Sequence, residues 1–327
     1  TDVNTVFNKF YLIKNDESLG IDNPWVYLEQ GEGMDCGKGY GVMWDRSHKP
    51  EEEGYTDQTV SFAGALNTGF VSPIISYSGA DRGWNLVGNP YPCTIDWVSV
   101  TKTLIDGAVY EYNPTTNNYS SYVDETQING GSRYIAPMQG FFVRATDIDG
   151  WISFTNDVKT TETSTFKSAT VQSILRLALS DATGATDESV IRIHPAATEA
   201  FDGKLDAYKL KATSLTPQLY SVLNGDEYSI NSLPEVSEQT VVPFELMIRT
   251  SGQHTLALTE LTGLDATLDV VLEDLQTGTR TLLANSAYRF SATAGETRKF
   301  NLLFADATSV SRVETRTIKA YGAENRM

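Results

Sequence analysis

The chain has 327 residues, 42 acidic against 25 basic side chains and a net charge of −17. That length suits two domains, each able to bury about 70% of its unfolded surface without a metal or disulfide. The acidic field excludes nucleic acid as a partner, and no apolar run approaches the 18 or so residues that span a bilayer. Sixteen Tyr, 13 Phe and 25 Gly favour strands and tight turns over long helices. The surplus acid is uneven. Residues 1–165 carry 22 acidic and 10 basic groups, and residues 166–327 carry 20 and 15.

In chain order, the first half reads as short strands at 7–13, 25–28, 39–44, 59–63, 70–77, 84–87, 108–112, 119–123, 140–145 and 151–155. Turn pairs punctuate them: Asn113-Pro114, Asn117-Asn118, Gly130-Gly131 and Asp149-Gly150, the last predicting a hairpin between its flanking runs. The Thr/Ser/Lys stretch 157–170 reads as a linker. Beyond it Leu175, Leu177 and Leu179, and then Ile191 and Ile193, alternate with polar residues as strands with one wet face do. Further strands are expected at 208–212, 218–223, 227–231, 241–249, 268–274, 279–284 and 298–304, with one short helix at 199–206 opened by Thr198. Asn224-Gly225 and Thr277-Gly278 are hairpin-type turns. The fold class is therefore all-β: two β-sandwich, jelly-roll-like domains in tandem over 1–160 and 171–306, followed by a tail at 307–327.

Candidate chemistry is sparse. Gly37-Lys38-Gly39-Tyr40-Gly41 lacks the spacing of a phosphate loop and reads as a strand start with close backbone approach. Asp147-Ile148-Asp149-Gly150 opens like a calcium loop, but Val158 stands where the closing Glu is needed. Asp181, Asp187, Glu188, Asp202 and Asp206 form a second acidic group that fits either a calcium site or solvated acids and helix caps. His48, His194 and His254 are far apart and no nucleophile elbow is present, so no catalytic residue is assigned; a hydrolase built from scattered carboxylates is the enzymatic alternative. Five Trp could line a sugar-stacking surface or fill cores, with Trp44, beside the polar run Asp45-Arg46-Ser47-His48, as the exposed candidate. Cys36 and Cys93 lie 57 positions apart. A disulfide closing that loop would stabilise by about 4 kcal/mol in the chain-entropy model, and two free thiols fit equally well.

The run Gly83-Trp84-Asn85-Leu86-Val87-Gly88-Asn89-Pro90-Tyr91-Pro92, closed by Ile95-Asp96-Trp97, is the chemistry of a strand running into a rigid turn. It resembles a GWNLxGNPYPxxxDW segment in the non-catalytic C-terminal regions of secreted Bacteroidetes surface proteins. Seven further stretches resemble the same pattern in order: 38–40 (GKGY), 62–69 (FxGxLNTG), 135–143 (IxPxQGFFV), 187–193 (DEAVIRF), 201–210 (FDxxxDAYKL), 217–221 (PQLYS) and 272–278 (LEDLxTG). Cys93 departs from it, standing where a small residue is usual. The resemblance implies a secreted or surface-displayed, outer-membrane-associated scaffold or adhesin. It also implies a type IX sorting domain, read by that secretion machinery, that would begin in the tail near Tyr321-Gly322-Ala323-Glu324. It implies no cofactor and no activity of its own. Partners would be a glycan or protein at the cell surface, and a carbohydrate-binding module is the first alternative.

Overall fold

The computed structural model describes residues 10–20, 24–29, 32–44, 65–79, 82–162 and 173–306. The strand expected at 59–63, the start of the 62–69 motif, most of the linker stretch and the tail from Ala307 lie outside the described residues. The described residues are all-β.

Alternation of side chains along short strands builds the first half in two layers. One is a five-stranded antiparallel sheet in the order Trp84–Gly88, Gly140–Arg144, Val109–Asn113, Asn118–Val123, Thr126–Ile128. The other pairs Thr101–Thr103 with Trp151–Ser153, and the segment after Gly69 joins it through a Val71 to Phe154 bridge. Between them lie Val87, Ile95, Trp97, Val109, Phe141, Val143, Ile152 and Phe154. Trp97 meets Phe141 edge-on at 5.7 Å, and its indole N–H donates to the Gly107 carbonyl at 2.7 Å. A separate sheet at the N-terminal side places Phe10–Asn15 between Trp25–Tyr27 and Gly41–Trp44.

The GWNLVGNPYP run is the frame of this half. Gly83 has φ +98°, and a Cβ there would sit 2.3 Å from the Ala145 carbonyl oxygen, so no other residue fits. The Asn85 carboxamide accepts from the Ser76 N–H and donates to the Ser76 and Gly83 carbonyls, each at 2.8 Å. Buried Asn89 does the same work at the turn. Its Nδ2 donates to the carbonyls of Cys93 (2.9 Å), Ile135 (3.2 Å) and Ala136 (2.9 Å), and its Oδ1 accepts from the Tyr91 N–H at 3.0 Å. Asp96 caps Val98 and forks onto Arg133, with oxygen–nitrogen distances of 2.9 and 2.6 Å.

The second half is one sheet of eleven strands. Its order runs Arg280–Leu282, Leu268–Asp274, Thr297–Asp306, Val241–Met247, Gln218–Leu223, Asp226–Leu233, Thr186–Ile193, Ser173–Asp181, Gly252–Thr262, Tyr288–Ala292, with Ala207–Tyr208 added against Asp226–Leu233. Only Thr186–Ile193 with Asp226–Leu233 is parallel. Leu177, Leu179 and Leu256 from one end of that order share a core with Val270, Leu272, Phe300 and Leu302 from the other. The sheet is therefore rolled onto its own inner face.

Four expectations fail for identifiable reasons. Residues 199–206 form turns rather than a helix, because the carboxylates of Asp202 and Asp206 cap the backbone N–H groups of Thr198 and Asp202 and hold the chain open. Residues 70–77 make one bridge rather than a strand, since Pro73 carries no donor. The strand expected at 208–212 is only Ala207–Tyr208. The runs flanking Asp149-Gly150 do not pair; that turn instead carries the chain from the five-stranded sheet to the opposite layer. Asn224-Gly225 does close a hairpin, with φ of 55° and 95°, and Thr277-Gly278 lies in the turn joining Leu268–Asp274 to Arg280–Leu282.

Replacing Asn89 with Ala strips three carbonyls, that of Ile135 buried, and the buried Tyr91 N–H of their partner. Denaturant unfolding followed by circular dichroism is expected to show a loss of roughly 2–4 kcal/mol, larger than for a surface Asn.

Candidate functional site

The largest concentration of buried polar chemistry lies where the two halves meet. The outer face of the five-stranded sheet presents Ala108, Tyr110, Val123 and Ile128, which pack directly on Val190, Ala207 and Ile230 of the rolled sheet. Around this apolar patch the strand Thr186–Ile193 is buried on both faces, and its polar residues reach into the first half.

Asp187 is fully buried. Its Oδ1 accepts from Asn118 and Asn129 of the first half, both at 2.8 Å. Its Oδ2 accepts from the Leu219 N–H at 2.6 Å and from the Lys209 ammonium, itself 1% exposed at the side chain. Arg192 is equally buried and donates to Ser232 (3.1 Å), Thr126 (3.1 Å), the Leu205 carbonyl (3.3 Å), and the Asp124 carbonyl (2.7 Å) and carboxylate (3.1 Å). Glu188 accepts from the Asn129 N–H at 2.7 Å and from Arg176, which also reaches the Gln127 carbonyl at 2.7 Å. At the other corner the Gly107 N–H donates to the Gly203 carbonyl at 2.6 Å. A side chain at Gly203 would meet the Asp106 carboxylate 2.6 Å away, and that carboxylate pairs with Arg144, whose guanidinium lies over Tyr208.

The five acids that fitted either a calcium site or solvated acids and caps are distributed. Asp187 and Glu188 belong to the interface. Burial pushes Asp206 up to about 6, and it accepts the N–H groups of Ser232 and Asp202. Asp202 holds Thr198 at 2.6 Å. Asp181 closes its own turn through Thr183, Ala185 and Thr250; burial is the largest single influence on it, yet these hydrogen bonds outweigh it and hold the carboxyl below the usual range. Among the described residues no three His, Cys, Asp or Glu side chains converge as a metal site.

His48 lies outside the described residues. His194 and His254 are engaged separately: the first accepts from the Ala196 N–H, and the second stacks on Phe290. Cys36 and Cys93 are free thiols, exposed and half-buried. Burial raises the Tyr91 hydroxyl, which donates to the Gly69 carbonyl. The Trp44 side chain is not among the described ones, whereas Trp151 is exposed and Trp25, Trp84 and Trp97 pack on Phe142, Tyr110 and Phe141. Trp151 was legible from the alternation Trp151-Ile152-Ser153-Phe154, in which Ile152 and Phe154 point into the core.

Reading strands one at a time missed the partners of Asp187 altogether. Arg192 and Lys209 sit where alternation predicts a wet face, and that face is dry only because the other half covers it. Glu111 was also missed. Burial alone pushes it up to about 7, and its Oε1 has no hydrogen-bond partner. Its cross-strand neighbour Ser120 donates to the Glu111 carbonyl.

Two outcomes follow from these charges. Lys209→Met leaves buried Asp187 without its counter-ion, and Asp187→Leu leaves Lys209 unpaired and strips Asn118, Asn129 and the Leu219 N–H of their acceptor. Each should cost about 3–5 kcal/mol in denaturant unfolding, and adding Lys209→Met to Asp187→Leu should recover only the part owed to the unpaired charge. For Glu111 the folded value stands above the unfolded one, so its contribution is intact below about pH 4.5 and disappears as pH rises through 7. Glu111→Gln should match the parent chain near pH 4.5 and exceed it by roughly 3 kcal/mol at pH 8, read from paired denaturation curves.

One family model, described as a domain of unknown function (DUF8693), matches residues 2–304 and so spans both halves and their interface. No curated protein and no solved structure matches the chain. With more than nine-tenths of its length inside that model, the chain belongs to the DUF8693 family.

Proposed function

We propose that the chain is a non-catalytic, secreted or surface-displayed scaffold that holds a neighbouring functional segment at a fixed distance and angle from the cell. The observation that carries this reading is the interface: hydrogen-bonded, fully buried Asp187 and Arg192 join the halves, which a pair of modules on a flexible tether does not need. Among the described residues, Asp96, Asp181, Asp187, Asp206 and Arg192 are directed at backbone groups, hydroxyls, carboxamides and partners of opposite charge. The resemblance of eight motif stretches to type IX-secreted surface proteins supports the location, and the acidic surface suits an exported protein kept soluble by its own charge.

Rigidity is directly measurable, because all five Trp lie between residues 25 and 151. Trp fluorescence therefore reports the first half alone, while far-ultraviolet circular dichroism reports both. The two signals are expected to trace one coincident unfolding transition. Two separated transitions would remove the spacer reading, and antibody labelling confined to lysed rather than intact source cells would remove the surface location.

A further inference from the structure

We propose that the outer face of the layer formed by Thr101–Thr103, Trp151–Ser153 and residues 71–74 binds a neutral polysaccharide chain, with the Trp151 indole as its stacking platform. The pairing Trp151 with Thr103, Ile152 with Lys102 and Ser153 with Thr101 sorts these strands into two faces. Ile152 and Phe154 enter the core, so Trp151 and both threonines stand on the other side. Trp151 is 42% exposed and Ile74, on the adjoining segment, is 89% exposed. Ser72, Thr101 and Thr103 are exposed beside them.

The place of this face in the molecule matters as much as its composition. The five-stranded sheet has its inner face on the core and its outer face on the second half. The Trp151 layer closes the opposite side of that core, so its outer surface points away from the interface. It is the broad side of the first half that the second half leaves open to a partner.

Its chemistry selects the occupant. Trp151, Ile74, Thr101, Thr103 and Ser72 carry no charge in a chain whose net charge is −17. An anionic polymer meets repulsion from the rest of the surface, and a basic partner finds no carboxylate among these five. An exposed indole with Thr103 directly across from it, and with Ser72 on the adjoining segment donating to the Ile152 carbonyl, complements a pyranose, whose axial C–H face stacks on the ring while its hydroxyls bond to Thr and Ser. The inference stands apart from the spacer reading, which concerns the interface and survives if this face binds nothing.

Affinity electrophoresis of the full chain through gels containing laminarin, galactomannan, xyloglucan or hydroxyethyl cellulose, with alginate and polygalacturonate as acidic controls, tests it. At least one neutral polymer should retard the parent chain and the acidic ones should not. Trp151→Ala should weaken that retardation at least tenfold, Trp151→Phe less so, and Ile74→Ser several-fold. Ile74 is exposed enough that its variant keeps the fold, as an unchanged unfolding midpoint would show. Retardation by none of the neutral gels overturns the proposal, as does equal retardation of Trp151→Ala. Trp151-dependent capture on a collagen- or fibronectin-coated surface, without retardation by any polysaccharide, would overturn it in favour of a protein partner.

Discussion

A carboxylate and a guanidinium with no access to water organise this molecule. Taking Asp187 and Arg192 out of solvent is costly unless every lone pair and N–H finds a partner, and the partners lie on both sides of the interface. Neither half can supply them alone. Asp187 needs the carboxamides of Asn118 and Asn129 as well as Lys209, and Arg192 needs the Asp124 turn as well as Ser232 and Leu205. Apolar contact through Tyr110, Val123, Val190 and Ile230 brings the halves together, and the charges set their angle and register.

This division of labour explains why the motifs of the first half look so unlike catalytic ones. Asn85, Asn89 and Asp96 are directed at backbone carbonyls, N–H groups and one arginine, holding loops that strand ladders cannot reach. Their effect is to make one end of the sandwich stiff.

Much of the architecture was written locally. The alternation of Leu175, Leu177 and Leu179 reads directly as a strand with one buried face, and Asn224-Gly225 reads as a tight hairpin because two successive positive φ angles favour that pair. Where local rules misled, a non-local partner had intervened. Residues 199–206 carry a helix-like start, yet Asp202 and Asp206 hold N–H groups that a helix would have used, and Gly203 is pressed against the first half. Asp149-Gly150 is hairpin chemistry, but its two strands belong to different layers.

The amino-acid sequence by itself determined the β character, the alternating cores of each half and the tight turns, since period-two burial and backbone preference act over a few residues. Only the tertiary structure decided that polar Asp187, Arg192 and Lys209 are interior, which backbone and side-chain groups Asp181, Asp187, Glu188, Asp202 and Asp206 accept from, and that the second half leaves the Trp151 side open. Burial of a second strand face depends on what packs against it from 58 to 69 residues away, and no local pattern carries that information.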